Sequence, residues 1–282
     1  MTNPGAAAQD AVLAAVMAGV DVFDLAQPLF DGMPCSPSHP GFKMALARRH
    51  GDVVRADGGS SANEIIVTGG HVGTHVDALA HVSHQGKMYG DVDCAKVQSG
   101  GGFRTHGVDA IPPMVCRGVF LDVAARQGVR SLPAGYGITA EDLADAAKLA
   151  DALPTPGSVC LINTGWSRWW DDPVRYLGAE TGVPGITPEA AQWLAAHQIT
   201  AAGTDTTAFE QIHPGQGHAI MPVHRILVVD HGIHIVEHLR LTELAAQGIA
   251  EFIFILAPLK IIGATGSPVR PLGVVSRRNA ST

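Results

Sequence analysis

The chain has 282 residues, 46% of them hydrophobic and 16% charged, with a formal net charge of −7. Such a composition can bury a substantial core and does not suit a disordered chain, and the acidic balance, without any basic run, argues against a nucleic-acid or anionic-membrane surface. No linker, charge block or internal repeat divides the chain, so a single domain over 1–282 is expected.

The first Lys or Arg is Lys43, so the start lacks the charged region of a signal peptide and the arginines of a transit peptide. The apolar stretch 11–20 is too short to span a bilayer. It reads as part of a helical arm over about 1–20, packed on the body or on a partner subunit. Residues 22–42, VFDLAQPLFDGMPCSPSHPGF, read as a short strand followed by a proline-rich loop. That loop either walls a pocket, through His39 and Phe42, or is an ordinary surface connection.

Residues 63–68 (NEIIVT) read as a strand leading into 69–81, GGHVGTHVDALAH. Here His71, His75, Asp77 and His81 follow one another at spacings of four, two and four, and each can bind a metal or move a proton. An extended strand would put all four on one face but spread them over roughly 33 Å. The segment must therefore bend, with Gly69, Gly70 and Gly73 as the places of least steric cost. Bent, it lets His71, His75 and Asp77 converge on one ion with His81 beside it. Imidazole and carboxylate together suit Zn, Mn, Fe or Co.

Further along, 118–123 (GVFLDV) and 158–163 (SVCLIN) read as buried strands. Between them Thr139 caps a helix, TAEDLADAAKLADAL, whose first turn is acidic. The segment GWSRWW, 165–170, either lines an aromatic pocket through Trp166 or belongs to core or interface. Thr187-Pro188 starts a helix running to about His197. The next strand is 199–205, ITAAGTD, and Asp205 at its end either orients a metal ligand or caps the following turn. Strands alternating with helices make the fold α/β, with a mixed sheet that includes parallel pairing.

In 222–241, PVHRILVVDHGIHIVEHLRL, His224 precedes one apolar run and Glu237 follows another. Two strands joined by a turn at 230–232 would bring both side chains to one end of a sheet, while His231, His234 and His238 read as surface or turn residues. A short helix at 241–247 and a core strand at 251–256 (EFIFIL) follow. Cys35, Cys94, Cys116 and Cys160 form no CxxC pair and fit a reduced, cytoplasmic setting.

DLAQPLFDGMP near the start, HVGTHVDALAH, the pair His224 and Glu237, and the ending PLKIIGATGSPVR resemble the metal-dependent cyclase-like hydrolases. This is the family of bacterial kynurenine formamidase and isatin hydrolase, and the resemblance covers most of the chain. Its pattern H-x-G-T-H-x-D-x-P-x-H is departed from only at Leu79, where proline is usual. The resemblance implies a swivelling β/β/α fold with a mixed sheet, and a metal of the zinc or manganese kind as one or two ions. His71, His75 and Asp77 would hold the first; His224 and Glu237 would hold a second bridged by Asp77, or support a single ion. His81 would transfer the proton, and His238 stands where asparagine is usual. A homodimer or homotetramer is also implied, with the N-terminal region reaching a neighbour's pocket.

The activity so implied is hydrolysis of an amide C–N bond in a small molecule: a formamide, a lactam or another cyclic amide. Leu79 and GWSRWW point to an aromatic or bulky apolar substrate. A bound divalent ion lowers the pKa of its water from about 15.7 to about 7 and polarises the carbonyl. His81, with an ordinary pKa of about 6.5, would take a proton and return it to the leaving nitrogen. The same residues admit two other readings. One is an iron oxygenase built on His75, Asp77 and His224; the other is a binding module that a metal merely staples.

Overall fold

A mixed sheet curled into a half-barrel, flanked by helices, makes this an α/β fold. The computed structural model describes residues 4–277, so residues 1–3 of the expected N-terminal arm and 278–282 lie outside the described residues. In chain order the organising strands are β1 (Val20–Asp24), β2 (Lys43–Arg48), β3 (Asn63–Val67), β4 (His75–Asp77), β5 (Met114–Asp122), β6 (Val159–Asn163), β7 (Ala201–Thr204), β8 (His234–Glu237), β9 (Glu251–Leu256), β10 (Gly266–Pro268) and β11 (Leu272–Ser276). All but β2 and β3 join one sheet in the order β1-β11-β9-β5-β6-β7-β8-β4-β10. Neighbours from β5 to β8 pair in parallel, and the outer pairings are antiparallel.

The central strands are apolar on both sides because both sides are covered. Val119 and Leu121 of β5 and Cys160 and Ile162 of β6 face one core, while Phe120, Val159 and Leu161 face the other. Alternation along a strand produces this division. The first core is roofed by the helices Ala140–Ala150 and Pro188–Ala196. Thr139 caps the former in a reciprocal capping box with Asp142, and Thr187 caps the latter, with Pro188 at its first position.

One expectation is corrected. The run 226–229 is not a strand: Pro222–His224 is helical and continues as a π-helix over Arg225–Asp230. Pro222 at the first helical position starts the turn, and Leu227 and Val228 bury themselves side by side in the first core. A short apolar run without periodicity is compatible with either state, and here packing decides. The strand at 63–68 exists as β3, but it pairs with β2 as a separate hairpin outside the main sheet. Every residue of that hairpin is exposed, including Met44, Leu46, Ile65, Ile66 and Val67. The arm is helical over Pro4–Ala18, and Val12, Leu13, Val16 and Met17 stand in solvent rather than on the body. Among the described residues no helix is long and apolar enough to cross a membrane.

The turn that leaves β6 depends on Gly165, whose φ is +72° and where an added Cβ would collide with the Arg130 carbonyl oxygen. Gly157 shares the left-handed conformation at φ +80° but faces open space. Gly157→Ala should therefore cost only the backbone strain, about 1–2 kcal/mol. Gly165→Ala should cost about 1–3 kcal/mol more for overpacking. Urea midpoints of the two variants give the comparison, and equal shifts would refute it.

Candidate metal centre

The centre is built on β4, three buried residues held antiparallel between β8 and β10. The register sets His75 opposite Glu237 and Asp77 opposite Gly266. His75 and Asp77, two residues apart, share a face. Of the three glycines expected to bend the segment, only Gly73 has a left-handed φ, at +67°. Gly69 and Gly70 supply space instead: an added Cβ would stand 3.1 Å from the Pro40 carbonyl oxygen and 2.8 Å from that of Gly266, respectively.

All six residues expected at the centre come together. His71 Nδ1 lies 2.8 Å from Asp77 Oδ1 and its Nε2 lies 2.9 Å from Thr265 Oγ1. His75 donates from Nδ1 to the Gly73 carbonyl at 2.8 Å, turning Nε2 inward to 3.5 Å from both Asp77 Oδ1 and Glu237 Oε2. His224 Nδ1 pairs with Glu210 Oε1 at 2.6 Å, and its Nε2 stands 3.2 Å from Glu237 Oε1 and 3.7 Å from Asp77 Oδ2. The His81 ring stacks on His71 at 3.9 Å, and His39 stacks on the other side of His71 at 5.4 Å. His39 thus walls the pocket, a cavity of about 220 Å³.

Burial works against charge here, and the carboxylates decide which groups keep one. For Asp77, burial opposes ionisation, but the adjacent His81, His71 and His75 hold its carboxyl well below the usual range. Burial pushes Glu237 up to about 7, with the Asp77 charge acting in the same direction. His224 is buried too, yet its bonds to Glu210 and Glu237 raise it to about 10. Burial lowers His75 to about 4 and His81 to about 3, keeping both rings neutral. His71 is raised in spite of burial by its bond to Asp77.

The donor set fits a divalent ion. Among the described residues Asp77 Oδ2 is buried without a hydrogen-bond partner, a costly condition for a carboxylate. His75 and His224 each give their Nδ1 proton to an outer acceptor and face inward through Nε2, the usual posture of ligating histidines. Ligand atoms of Asp77, His224 and Glu237 lie within 4.8 Å of one another, and so do those of His71, Asp77 and His81.

Other candidates lie elsewhere. Asp205 has no histidine partner; it accepts from Thr164 N, Thr164 Oγ1 and Ser167 N, and so caps the turn after β6. Trp166 is core, with Nε1 donating to the Tyr176 carbonyl, and it is Trp170 whose ring packs on His238, in a T-shaped pair with centroids 5.6 Å apart. Leu79 packs on the first core. His238 is no surface residue: it is buried against the cavity. His234 Nδ1 donates to the Asp77 carbonyl at 2.8 Å. Glu210, which fixes His224 through Nδ1 and two backbone amides, belongs to no motif and was not legible. The one hint for His238 was its place beside Glu237.

Comparison with known proteins places these residues in context. The Cyclase family model, described as "Putative cyclase", matches residues 23–211, a stretch that contains the 69–81 segment. An isatin hydrolase of Roseibium aggregatum is 32% identical over 124 residues, 43% of this chain and 46% of that protein, so the match spans under half of the relative's length. A crystal structure described as a novel cyclase is 29% identical with a TM-score of 0.80, over 93% of this chain and 89% of the other. Isatin hydrolase A of Ralstonia solanacearum is 25% identical with a TM-score of 0.73, over 98% of each chain.

Because His224 is raised to about 10, its Nε2 carries a proton at pH 7 that an incoming cation must displace. Titrating metal into the stripped protein should release a proton, and affinity should weaken as pH falls. Calorimetry in buffers of different ionisation enthalpy measures the release, and Glu210→Gln should reduce it. Uptake without proton release would show that His224 is neutral.

Proposed function

The chain belongs to the cyclase family, and on that footing we propose that it is a metal-dependent hydrolase that cleaves the C–N amide bond of a small substrate. The observation that carries the reading is the buried Oδ2 of Asp77, unpartnered among the described residues, with the inward nitrogen of His224 3.7 Å away and that of His75 3.5 Å from the other oxygen of the same carboxylate. His71, His75, Asp77, His224 and Glu237 would hold the metal, zinc or manganese, as one or two ions. A divalent ion there would supply Lewis acidity and an activated water.

The chain's own residues supply the rest. Asp77 and Glu237 set the negative charge, and Glu210 and the Gly73 carbonyl fix the two inward histidines. His81 lines the cavity with a ring nitrogen free among the described residues and, with burial holding it at about 3, would keep an accepted proton only weakly and so hand it on to the departing nitrogen. A cavity of about 220 Å³ is small for a ligand site and suits a compact amide. Two relatives are isatin hydrolases, and isatin is such an amide, a planar fused lactam. The oxygenase reading finds less support, because Glu237 joins His75 and His224 at 3.5 and 3.2 Å where a facial triad leaves positions open.

The hairpin of β2 and β3 supports a homodimer or homotetramer. Both its faces carry exposed apolar residues, whereas a two-stranded hairpin alone is marginal in water. A second copy of this chain is the proposed cover, with the exposed arm at its disposal. Four free thiols fit a cytoplasmic setting.

His81→Ala should keep its metal by elemental analysis and lose about 10²- to 10⁴-fold in turnover on isatin or N-formylkynurenine. Loss of metal with the imidazole would make His81 a ligand, and turnover that required oxygen would sink the hydrolase. Met44 and Ile66 are cross-strand partners on one face, so Met44→Asp/Ile66→Asp should shift the mass in light scattering to the monomer. An unchanged mass would remove the hairpin from the interface.

A further inference from the structure

In a strand, successive side chains face opposite sides, yet Glu237 and His238 line the same cavity. The reason is local: His238 follows the end of β8 in the left-handed region, at φ +55°. Its ring is buried, stacked on Tyr176 at 5.5 Å and T-shaped to Trp170 at 5.6 Å between centroids. A strained backbone here has the effect of bringing a fifth imidazole to the centre.

The orientation of that ring follows from counting protons. His238 Nδ1 lies 3.1 Å from Tyr176 Oη, which lies 3.1 Å from the Asp205 carbonyl oxygen. A carbonyl can only accept and tyrosine has one hydroxyl proton. Both contacts are hydrogen bonds only if His238 donates from Nδ1 to Tyr176 and Tyr176 donates to Asp205. Nε2 then keeps its lone pair. His75 and His224 are built alike, giving Nδ1–H to Gly73 and to Glu210, and a second hydrogen bond of this kind is what orients a ligating histidine. Ligand atoms of His75, Glu237 and His238 lie within 4.8 Å of one another. Zinc-class ligands at about 2.0–2.2 Å face each other across the ion at up to about 4.4 Å, so slight side-chain adjustment would close the trio.

We propose that His238 is itself a ligand of the metal centre, joining His75 and Glu237, with Tyr176 and the Asp205 carbonyl as the groups that aim it. The proposal rests on the metal-centre reading of the site and goes beyond the ligands that the resemblance implies, in which asparagine usually follows the glutamate. An added imidazole favours zinc or cobalt over manganese.

Stripped wild-type protein, His238→Asn and Tyr176→Phe should each be reconstituted with Co²⁺, following the visible absorption of the ion and its affinity against a competing chelator. Asparagine tolerates the left-handed backbone, so His238→Asn removes the imidazole with little other change. It should bind Co²⁺ at least ten-fold more weakly and with a shifted spectrum. Tyr176→Phe should weaken binding by about 10- to 100-fold, the range for the outer partners of ligands. Wild-type affinity and spectrum in folded His238→Asn would overturn the proposal, as would a loss confined to turnover, which would make His238 a substrate contact. If His238→Asn fails to fold, an unchanged Tyr176→Phe overturns it instead. Wild-type protein that took up no Co²⁺ would overturn the metal centre itself, an outcome distinct from a variant that keeps the ion.

Discussion

Taking an ionised carboxylate out of water is costly unless each lone pair finds a donor or a cation. Asp77 is 1% exposed, with His71 on one oxygen and no partner on the other. Glu237 shares the space, and burial raises it to about 7, with the Asp77 charge acting in the same direction. Two carboxylates at such range repel unless positive charge lies between them. Protons on His71 and His224 can provide it, and so can a divalent ion, and the two compete for the same lone pairs. The edge formed by β8, β4 and β10 is thereby coupled to whatever cation it holds, while the apolar cores on either side of the sheet keep the strands from parting.

The sheet topology explains why the charges collect at this place. In open α/β sheets the crevice beyond the carboxyl ends of parallel strands is where ligands bind. Glu237 ends β8, and the chain leaving β7 carries Asp205 and then Glu210. Asp205 ties the exits of β6 and β7 together through Thr164 and Ser167, so the loops beneath the cavity share one anchor. On the far side, β4 enters antiparallel and carries the histidine segment across the same crevice. Two unrelated stretches of sequence therefore meet because one strand order closes on the other.

The motif was legible because its chemistry is local. His71, His75, Asp77 and His81 occupy eleven residues, and only a bend could make them useful together. The pair His224 and Glu237 was legible through the resemblance, but its secondary structure was not, since an apolar run like ILVV carries no period. The central strands and the two capped helices followed from apolar runs and from Thr139, Thr187 and Pro188. Glu210 was invisible because it acts over 14 residues through a fold contact, with no patterned neighbour to announce it. Trp166 was misleading for a related reason: three tryptophans in six residues mark an aromatic cluster, but the turn at 165–170 alone decides which ring faces the centre.

The stacked histidines bear on what the cavity can admit. His39, His71 and His81 lie in file, and adjacent protonated rings would repel. Burial lowers both outer rings, with the charge of His71 acting in the same direction, while Asp77 raises the middle one. The stack therefore favours a proton at its centre, against the carboxylate, over one on either outer ring. A cavity of about 220 Å³ walled by such rings presents flat, neutral faces. The proposed substrates, a fused lactam or an aryl formamide, are flat enough for such a cavity. A peptide is not suited to it, because its chain must continue on both sides of the scissile bond and needs an open groove.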